Sequence, residues 1–229
     1  MPADRGTVIV TGGSSGLGAA VACAVAAKGG TPVIIDRAAP SNGWDSEIVD
    51  LARPREAERA VARVAERHGG VDAVVAAAGT DACGTLAEVD ADTWDRVVTV
   101  NLIGNVAVVR AALPHLERSR GRVVMVGSTL GLRALSDATA YCASKFGVTG
   151  FTRALAVETQ GRVGVSLLIP GGMDTAFFDG RDSKYRPPAD ARLNDPADVA
   201  AAVVFALGQP SGVELRELVV CPAEEPSWP

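Results

Sequence analysis

A chain of 229 residues with nearly half its side chains hydrophobic has the size and apolar content of one α/β domain around a single core. Its formal charge of −5, with arginines scattered among Asp and Glu, excludes the basic patch that a nucleic-acid surface requires. Two histidines (His68, His115) and four widely spaced cysteines (Cys23, Cys83, Cys142, Cys221), without CxxC or a Cys/His cluster, exclude a zinc site, a disulfide frame and most histidine-based catalysis. No metal is expected.

Thr7–Val10 is a short β-branched run and reads as a buried strand. It enters Thr11-Gly12-Gly13-Ser14-Ser15-Gly16-Leu17-Gly18, and an Ala-rich helix to about Lys28 follows. Strand, glycine turn and helix in that order present backbone N–H groups and a positive helix end to a pyrophosphate. An ordinary flexible turn is the alternative, but the flanking elements favour dinucleotide binding. Gly29-Gly30 stops the helix, and Thr31–Ile35 forms the second strand. Asp36 ends it, placed to accept hydrogen bonds from ribose hydroxyls and to repel a 2′-phosphate. NAD(H) is therefore favoured, with NADP(H) the alternative because Arg37 stands next to Asp36.

Glu47–Leu51 reads as a third strand with Asp50 at its end, and Pro54–His68 as a helix closed by Gly69-Gly70. Val71–Ala77 is a continuous apolar run, expected as a central parallel strand ending at Ala78-Gly79. Asp90 or Asp92 caps a long helix to about Arg118, which Pro114 is expected to kink and in which Asn101 lies among apolar residues. Arg122–Val126 is the next strand, with Ser128 at its C-terminal end. In an open parallel sheet that edge is where ligands sit.

A helix over about 138–158 carries Tyr141 and Lys145, four residues apart and so on one face. An ammonium beside a phenol favours the phenolate, so the pair predicts a lowered Tyr pKa and a usable acid/base. Alone, such a pair is usually a solvated surface neighbour. Val163–Ile169 is a strand ending in Pro170-Gly171-Gly172-Met173-Asp174-Thr175. Residues 174–194 are polar and irregular, and Phe177, Phe178 and Tyr185 within them favour a lid over a spacer. Together with Leu130, Ala134 and Leu135 these aromatics suggest an apolar pocket. Asp195-Pro196 starts a helix to about Leu207, Glu217–Pro222 is the last strand, and the tail to Pro229 has little room for structure.

Met1 to Gly6 holds Asp4 and Arg5 and lacks the apolar core of a signal peptide, and no apolar segment is read as membrane-spanning. The expectation is a soluble, cytoplasmic protein. The β/α alternation predicts one domain over 1–229, a Rossmann-type doubly wound parallel sheet of about seven strands with helices on both faces and a lid at about 174–194.

These residues resemble the short-chain dehydrogenase/reductase family over about 6–222. Thr11–Gly18 is similar to its TGxxxGxG turn, and Tyr141-Cys142-Ala143-Ser144-Lys145 to its YxxxK motif. Ser128 stands thirteen residues before the Tyr, and Asn101 follows Val100 at the fourth catalytic position. The resemblance implies that Tyr141 is the general acid/base, that Lys145 lowers its pKa and binds the nicotinamide ribose, that Ser128 bonds the substrate oxygen and that Asn101 holds a relay water. It implies cofactor contacts at Gly12, Ser14, Ser15, Gly16, Leu17, Gly18, Asp36, Arg37, Asp50, Leu51, Ala78 and Gly79. Tyr141, Lys145, Pro170, Gly171, Met173 and Thr175 complete that set.

Two departures stand out. The family's NNAG is Ala76-Ala77-Ala78-Gly79 here, and its frequent Gly-rich finish is Val219-Val220-Cys221-Pro222. The implied activity interconverts a secondary alcohol and a ketone with NAD(P), in a homodimer or homotetramer packed through the helices that carry Asn101 and Tyr141, with a small hydroxyl/keto substrate and neither nucleic acid nor membrane as partner. A non-catalytic dinucleotide-sensing module on the same fold is the competing reading. A tailoring reductase, a 3-oxoacyl reductase and a sugar or steroid dehydrogenase are not separated by the residues.

Overall fold

The computed structural model describes residues 6–225. The expectations for the first five residues and for 226–229 lie outside that range.

Seven strands form one sheet in the order β3-β2-β1-β4-β5-β6-β7, every pair parallel. They are β1 (Thr7–Thr11), β2 (Thr31–Asp36), β3 (Ser46–Ile48), β4 (Ala73–Ala76), β5 (Arg122–Val126), β6 (Gly164–Pro170) and β7 (Glu217–Val220). The helices are α1 (Gly16–Ala27), α2 (Pro54–His68), α3 (Ala91–Val98), α4 (Asn105–Ser119), α5 (Thr139–Glu158) and α6 (Pro196–Leu207).

The two-residue period of the strands explains why both faces are covered. Ile9, Val74, Val123 and Leu167 point into one core with Val61, Val108 and Val148 of α2, α4 and α5. Their neighbours Val8, Val75, Val124 and Leu168 point into a second core with Val21 of α1 and Val199 and Val203 of α6. Each fully buried Val, Leu or Ile contributes about 1.5–3 kcal/mol, so a strand apolar on both faces is stable only with helices on both sides.

The helix ends follow their residues. Asp195 accepts a hydrogen bond from Ala197 N and Pro196 opens α6, while Gly69 (φ 77°) ends α2 in the left-handed region. Asp90 is the cap of α3, accepting from Thr93 N. Two strands are shorter than the residues suggest. The third pairs only over 46–48, so Asp50 and Leu51 lie in the turn beyond it, and the fourth pairs only over 73–76.

The long helix is continuous from Ala91 to Ser119, but a π-helical turn, Thr99–Gly104, interrupts it. By length and composition this stretch could cross a membrane, which corrects the expectation that no segment would. Val97, Val108 and Leu116 are buried within the domain, and so are the amides of Asn101 and Asn105. The described change of helix type is this π turn, and Pro114 lies inside α4.

Candidate active site

The C-terminal ends of β1, β2, β4, β5 and β6 open into one cleft of about 1590 Å³. That edge of a doubly wound sheet, beside β1 where the strand order reverses, is where the topology leaves a crevice.

At one end lies the glycine turn. Gly12 has φ +69°, and a Cβ there would sit 2.7 Å from Ala78 Cα. A Cβ on Gly18 would run into the carbonyl of Gly12. The turn is therefore closed by backbone against backbone, which only glycine permits. The N-cap of α1, Ser15, makes no side-chain cap hydrogen bond, and the first turn carries no acid. Its N–H groups and positive dipole face the cleft uncompensated by any carboxylate of that turn, which fits the pyrophosphate of a dinucleotide.

Asp36 accepts from Ser14 N (3.0 Å) and Ala38 N (3.2 Å), so the carboxylate that ends β2 also braces the turn. Asp50 accepts from Ala52 N at 2.9 Å and from Arg96 Nη2 at 3.0 Å. Burial opposes its ionisation, but the Ala52 N–H and the Arg96 guanidinium outweigh it and hold the carboxyl below its ordinary range. Gly12, Ser15, Gly16, Leu17, Gly18, Asp36, Arg37, Asp50, Leu51, Ala78, Gly79, Pro170, Gly171, Met173 and Thr175 all line the cleft. Ser14 does not: its N–H goes to Asp36 and its hydroxyl to Ala38 O.

At the other end, β5 delivers Ser128 and α5 delivers Tyr141 and Lys145. A single 3-10 turn, Thr129–Gly131, packs on α5 so closely that a Cβ on Gly131 would lie 2.7 Å from Lys145 O. Lys145 is 4% exposed, donates to Val126 O at 2.9 Å, and has its Nζ 5.6 Å from the centre of the Tyr141 ring. The expected lowering of the Tyr pKa is corrected here. Burial pushes the phenol well above its ordinary value, and the hydrogen bond with Ser128 offsets only part of that. Lys145 is a buried neighbour engaged with a carbonyl, and burial pushes its own ammonium down to about 8, with Asp81 acting in the opposite direction.

That shift carries a stability prediction. Between about 8 and 10.5 the unfolded chain holds a proton on Lys145 that the folded chain has lost, so stability rises with pH in that window, and the cost of the buried charge is full below pH 8. The shift is worth about 3 kcal/mol at 1.36 kcal/mol per unit, and the bond lost at Val126 O about 1 kcal/mol. Lys145→Met is expected to stabilise the fold by about 2 kcal/mol near neutral pH, read by urea unfolding, with the gain shrinking as pH rises past 8.

Asn101 does not line the cleft. Its Oδ1 accepts from Thr80 N (2.7 Å), and its Nδ2 donates to Thr80 O (2.9 Å) and Ser144 Oγ (3.0 Å). Its amide ties the segment after β4 to α5.

The residue that sequence reasoning missed is Asn105, one helical turn on. Its Nδ2 donates to Ala78 O (3.0 Å), Asn101 O (3.1 Å) and Val100 O (3.3 Å), and its Oδ1 accepts from Thr11 Oγ1 (2.6 Å). Thr11 Oγ1 in turn accepts from Ala78 N at 3.0 Å. Asn105 thus joins the end of β1, the loop after β4 and the π turn, with Ala76 and Ala77 in place of asparagines there. A second Asn at i+4 on the same helix was the available signal.

The lid segment contains two 3-10 turns, Ala176–Phe178 and Ser183–Tyr185. Phe177 lies 5.8 Å from the Tyr141 ring, centre to centre. The wall is less apolar than the aromatics suggest. Asp81, Asp137 and Arg181 line it as well, Leu135 is 61% exposed, and Ala134 is not part of it.

Comparison with known proteins agrees with this geometry. Residues 6–186 match the family described as short chain dehydrogenase. The chain is 32% identical over 244 residues to the glycine betaine reductase ATRR of Emericella nidulans, spanning 98% of this chain but only 19% of that protein. It is 32% identical over 226 residues to an uncharacterized oxidoreductase of Staphylococcus aureus, covering 93% of this chain and 96% of the relative. Among solved structures, a short chain dehydrogenase from Burkholderia cenocepacia in complex with NADP superposes with a TM-score of 0.83, at 31% identity over 96% of this chain and 97% of that one. The chain belongs to the short-chain dehydrogenase family of oxidoreductases.

Proposed function

We propose that this single-domain chain interconverts a secondary alcohol and a ketone with NAD(P) as cofactor, and that Tyr141 is the general acid/base. The observation that carries this reading is one cleft with an uncapped glycine turn at one end and Ser128, Tyr141 and Lys145 at the other. When bound, the nicotinamide supplies or accepts the hydride. Ser128 hydrogen-bonds the reacting oxygen and stabilises the charge that develops there. Tyr141 gives that oxygen its proton in reduction and takes it back in oxidation. Lys145 holds the ribose and the local charge. Asn101 acts from behind the site, through Thr80 and Ser144. A cytoplasmic homodimer or homotetramer belongs to the same reading, with Ile103, Phe146 and Val157 exposed on the helices that would pair.

Oxidation of NADH and NADPH against a panel of secondary ketones is the test. Turnover with at least one ketone supports the reading, whereas tight cofactor binding without turnover across a wide panel favours a dinucleotide sensor. Within this reading NAD(H) is the preferred cofactor because Asp36 ends β2 at the ribose position. The solved relative that holds NADP makes the comparison necessary. Asp36→Ala is expected to move the ratio of kcat/KM values at least tenfold toward NADP(H), since about 1.4 kcal/mol of lost charge repulsion suffices. Equal efficiency with both cofactors before and after the change would remove Asp36 as the selector.

A further inference from the structure

The lid is closed at its neck by a short ladder. Met173 and Asn194 form an isolated parallel bridge, with Asn194 N donating to Gly172 O and Asp174 N to Asn194 O, both at 2.9 Å. Phe177, Phe178, Arg181 and Tyr185, all between these bonds, line the cleft, and one side chain organises them. The Arg181 guanidinium lies 4.8 Å from the centre of the Phe177 ring and 4.6 Å from that of Phe178. The two rings meet edge to face at 5.7 Å.

The same guanidinium donates to Asp81 Oδ2 at 2.8 Å and to Tyr185 O at 3.4 Å, while Arg186 Nε donates to Arg181 O at 2.7 Å. Asp81 belongs to the wall after β4, one hundred residues away in the chain, and its other oxygen accepts from Ala82 N at 2.7 Å. Both side chains of the ion pair are largely covered, 15% exposed for Arg181 and 10% for Asp81. Most ion pairs of the described residues involve side chains far more open to water and are worth little. This one is shielded, anchored by a backbone N–H on the acidic side and stacked on two rings on the basic side. A second and weaker contact runs from Tyr185 OH to Asp137 Oδ2 at 3.4 Å.

We propose that Arg181 is a positioning residue: latched to Asp81, it holds the 174–194 segment closed and presses Phe177 against Tyr141. The chain of contacts is Asp81, Arg181, Phe177, Tyr141. Asp81 anchors the guanidinium, the guanidinium stacks on both phenyl rings, and Phe177 packs tilted against the phenol ring at 5.8 Å. Lost at either end of the ion pair, the latch releases the same segment. The consequence for catalysis rests on the acid/base reading of Tyr141 above.

Only two tyrosines occur in the chain, Tyr141 and Tyr185. Protein labelled with fluorotyrosine therefore gives two fluorine resonances, which Tyr185→Phe assigns. Hydrogen exchange over 174–194 reads the latch, the Tyr141 resonance reads the positioning, and neither needs turnover. Arg181→Met and Asp81→Asn are each expected to speed exchange of the segment at least tenfold and to shift or broaden the Tyr141 resonance. The double variant is expected within about twofold of the singles, as for two halves of one contact. Arg181→Lys, which keeps the charge but loses the planar stacking, should fall between wild type and Met. With an accepted ketone, both singles should lower kcat about tenfold while the KM for cofactor stays within twofold. Unchanged exchange or an unchanged Tyr141 resonance in either single variant overturns the proposal, as does a double variant showing the product of the single effects. If wild type turns over no ketone, the acid/base reading fails, while the exchange and resonance arms still decide the latch.

Discussion

Tyr141→Phe is expected to lower kcat for ketone reduction by about 10³-fold, within the range of on the order of 10²–10⁴ that a positioned general acid supplies. The substitution removes one oxygen and keeps the ring that packs against Phe177 at 5.8 Å, so the fold and the lid contact should survive. Cofactor affinity, read by quenching of protein fluorescence or by calorimetry, should change less than threefold. The direction of the phenol's pKa adds a second observable. Burial holds the group protonated through neutral pH, which suits it to giving a proton to a ketone oxygen. Reduction should therefore be nearly flat from pH 6 to 8, whereas oxidation, which needs the phenolate, should climb about tenfold per pH unit over the same range. A Phe variant that keeps wild-type turnover would end the acid/base assignment, and a flat oxidation profile would mean that the phenol is not the titrating group.

Asn105→Ala should be the most damaging single change to the framework of the site. It removes a 2% exposed amide that holds three carbonyls and the Thr11 hydroxyl, and the cavity lies too deep for those groups to turn to bulk water. Each buried polar group left unpaired costs about 1–3 kcal/mol. Some of these carbonyls have helix partners, so about 3 kcal/mol in all is expected by urea unfolding. Thr11 and Ala78 flank Gly12, so the loss should also raise the KM for cofactor severalfold while leaving the Tyr141 end intact. Asn105→Asp, which keeps the acceptor for Thr11 and loses the donors, should recover only part of the stability. Stability within 1 kcal/mol of wild type for the Ala variant would show that water or the helix satisfies these groups instead.

Asn105 also shows what kind of information a chain hides. Thr7–Thr11, the glycine turn and the start of α1 are legible because each depends on neighbours within a few residues: β-branched residues for the strand, glycines for the tight turn, alanines for the helix. Tyr141 and Lys145 are legible as a pair because helical geometry puts i and i+4 on one face. The pKa directions were not legible, because burial is a property of the whole fold. Reasoning from the pair alone gave the ammonium the decisive influence on the phenol, whereas desolvation governs both groups. The partners of the Asn101 amide, Thr80 and Ser144, were not legible either, because they come from two distant segments. The end of the third strand was not legible, because Val49 and Leu51 are apolar like strand residues although the strand stops at Ile48, with one further bond from Val49 N to Asp36 O.

The charged part of the pocket wall was hidden for a related reason. Phe177, Phe178 and Tyr185 do cover the cleft, yet Arg181 sits among them and Asp81 meets it from across one hundred residues of chain. An Arg between aromatics in a polar loop gives no sign of whether it faces water or a carboxylate. By itself, then, the order of residues determined the alternation of strands and helices, the glycine turn and the Tyr–Lys face, since local sterics and period-2 and period-3.6 patterning are written within short windows. Tertiary structure alone decided that five strand ends converge on one cleft, that Asn105 ties Thr11 to Ala78 and that Arg181 finds Asp81, because distant segments meet only when two apolar faces of one sheet must both be covered.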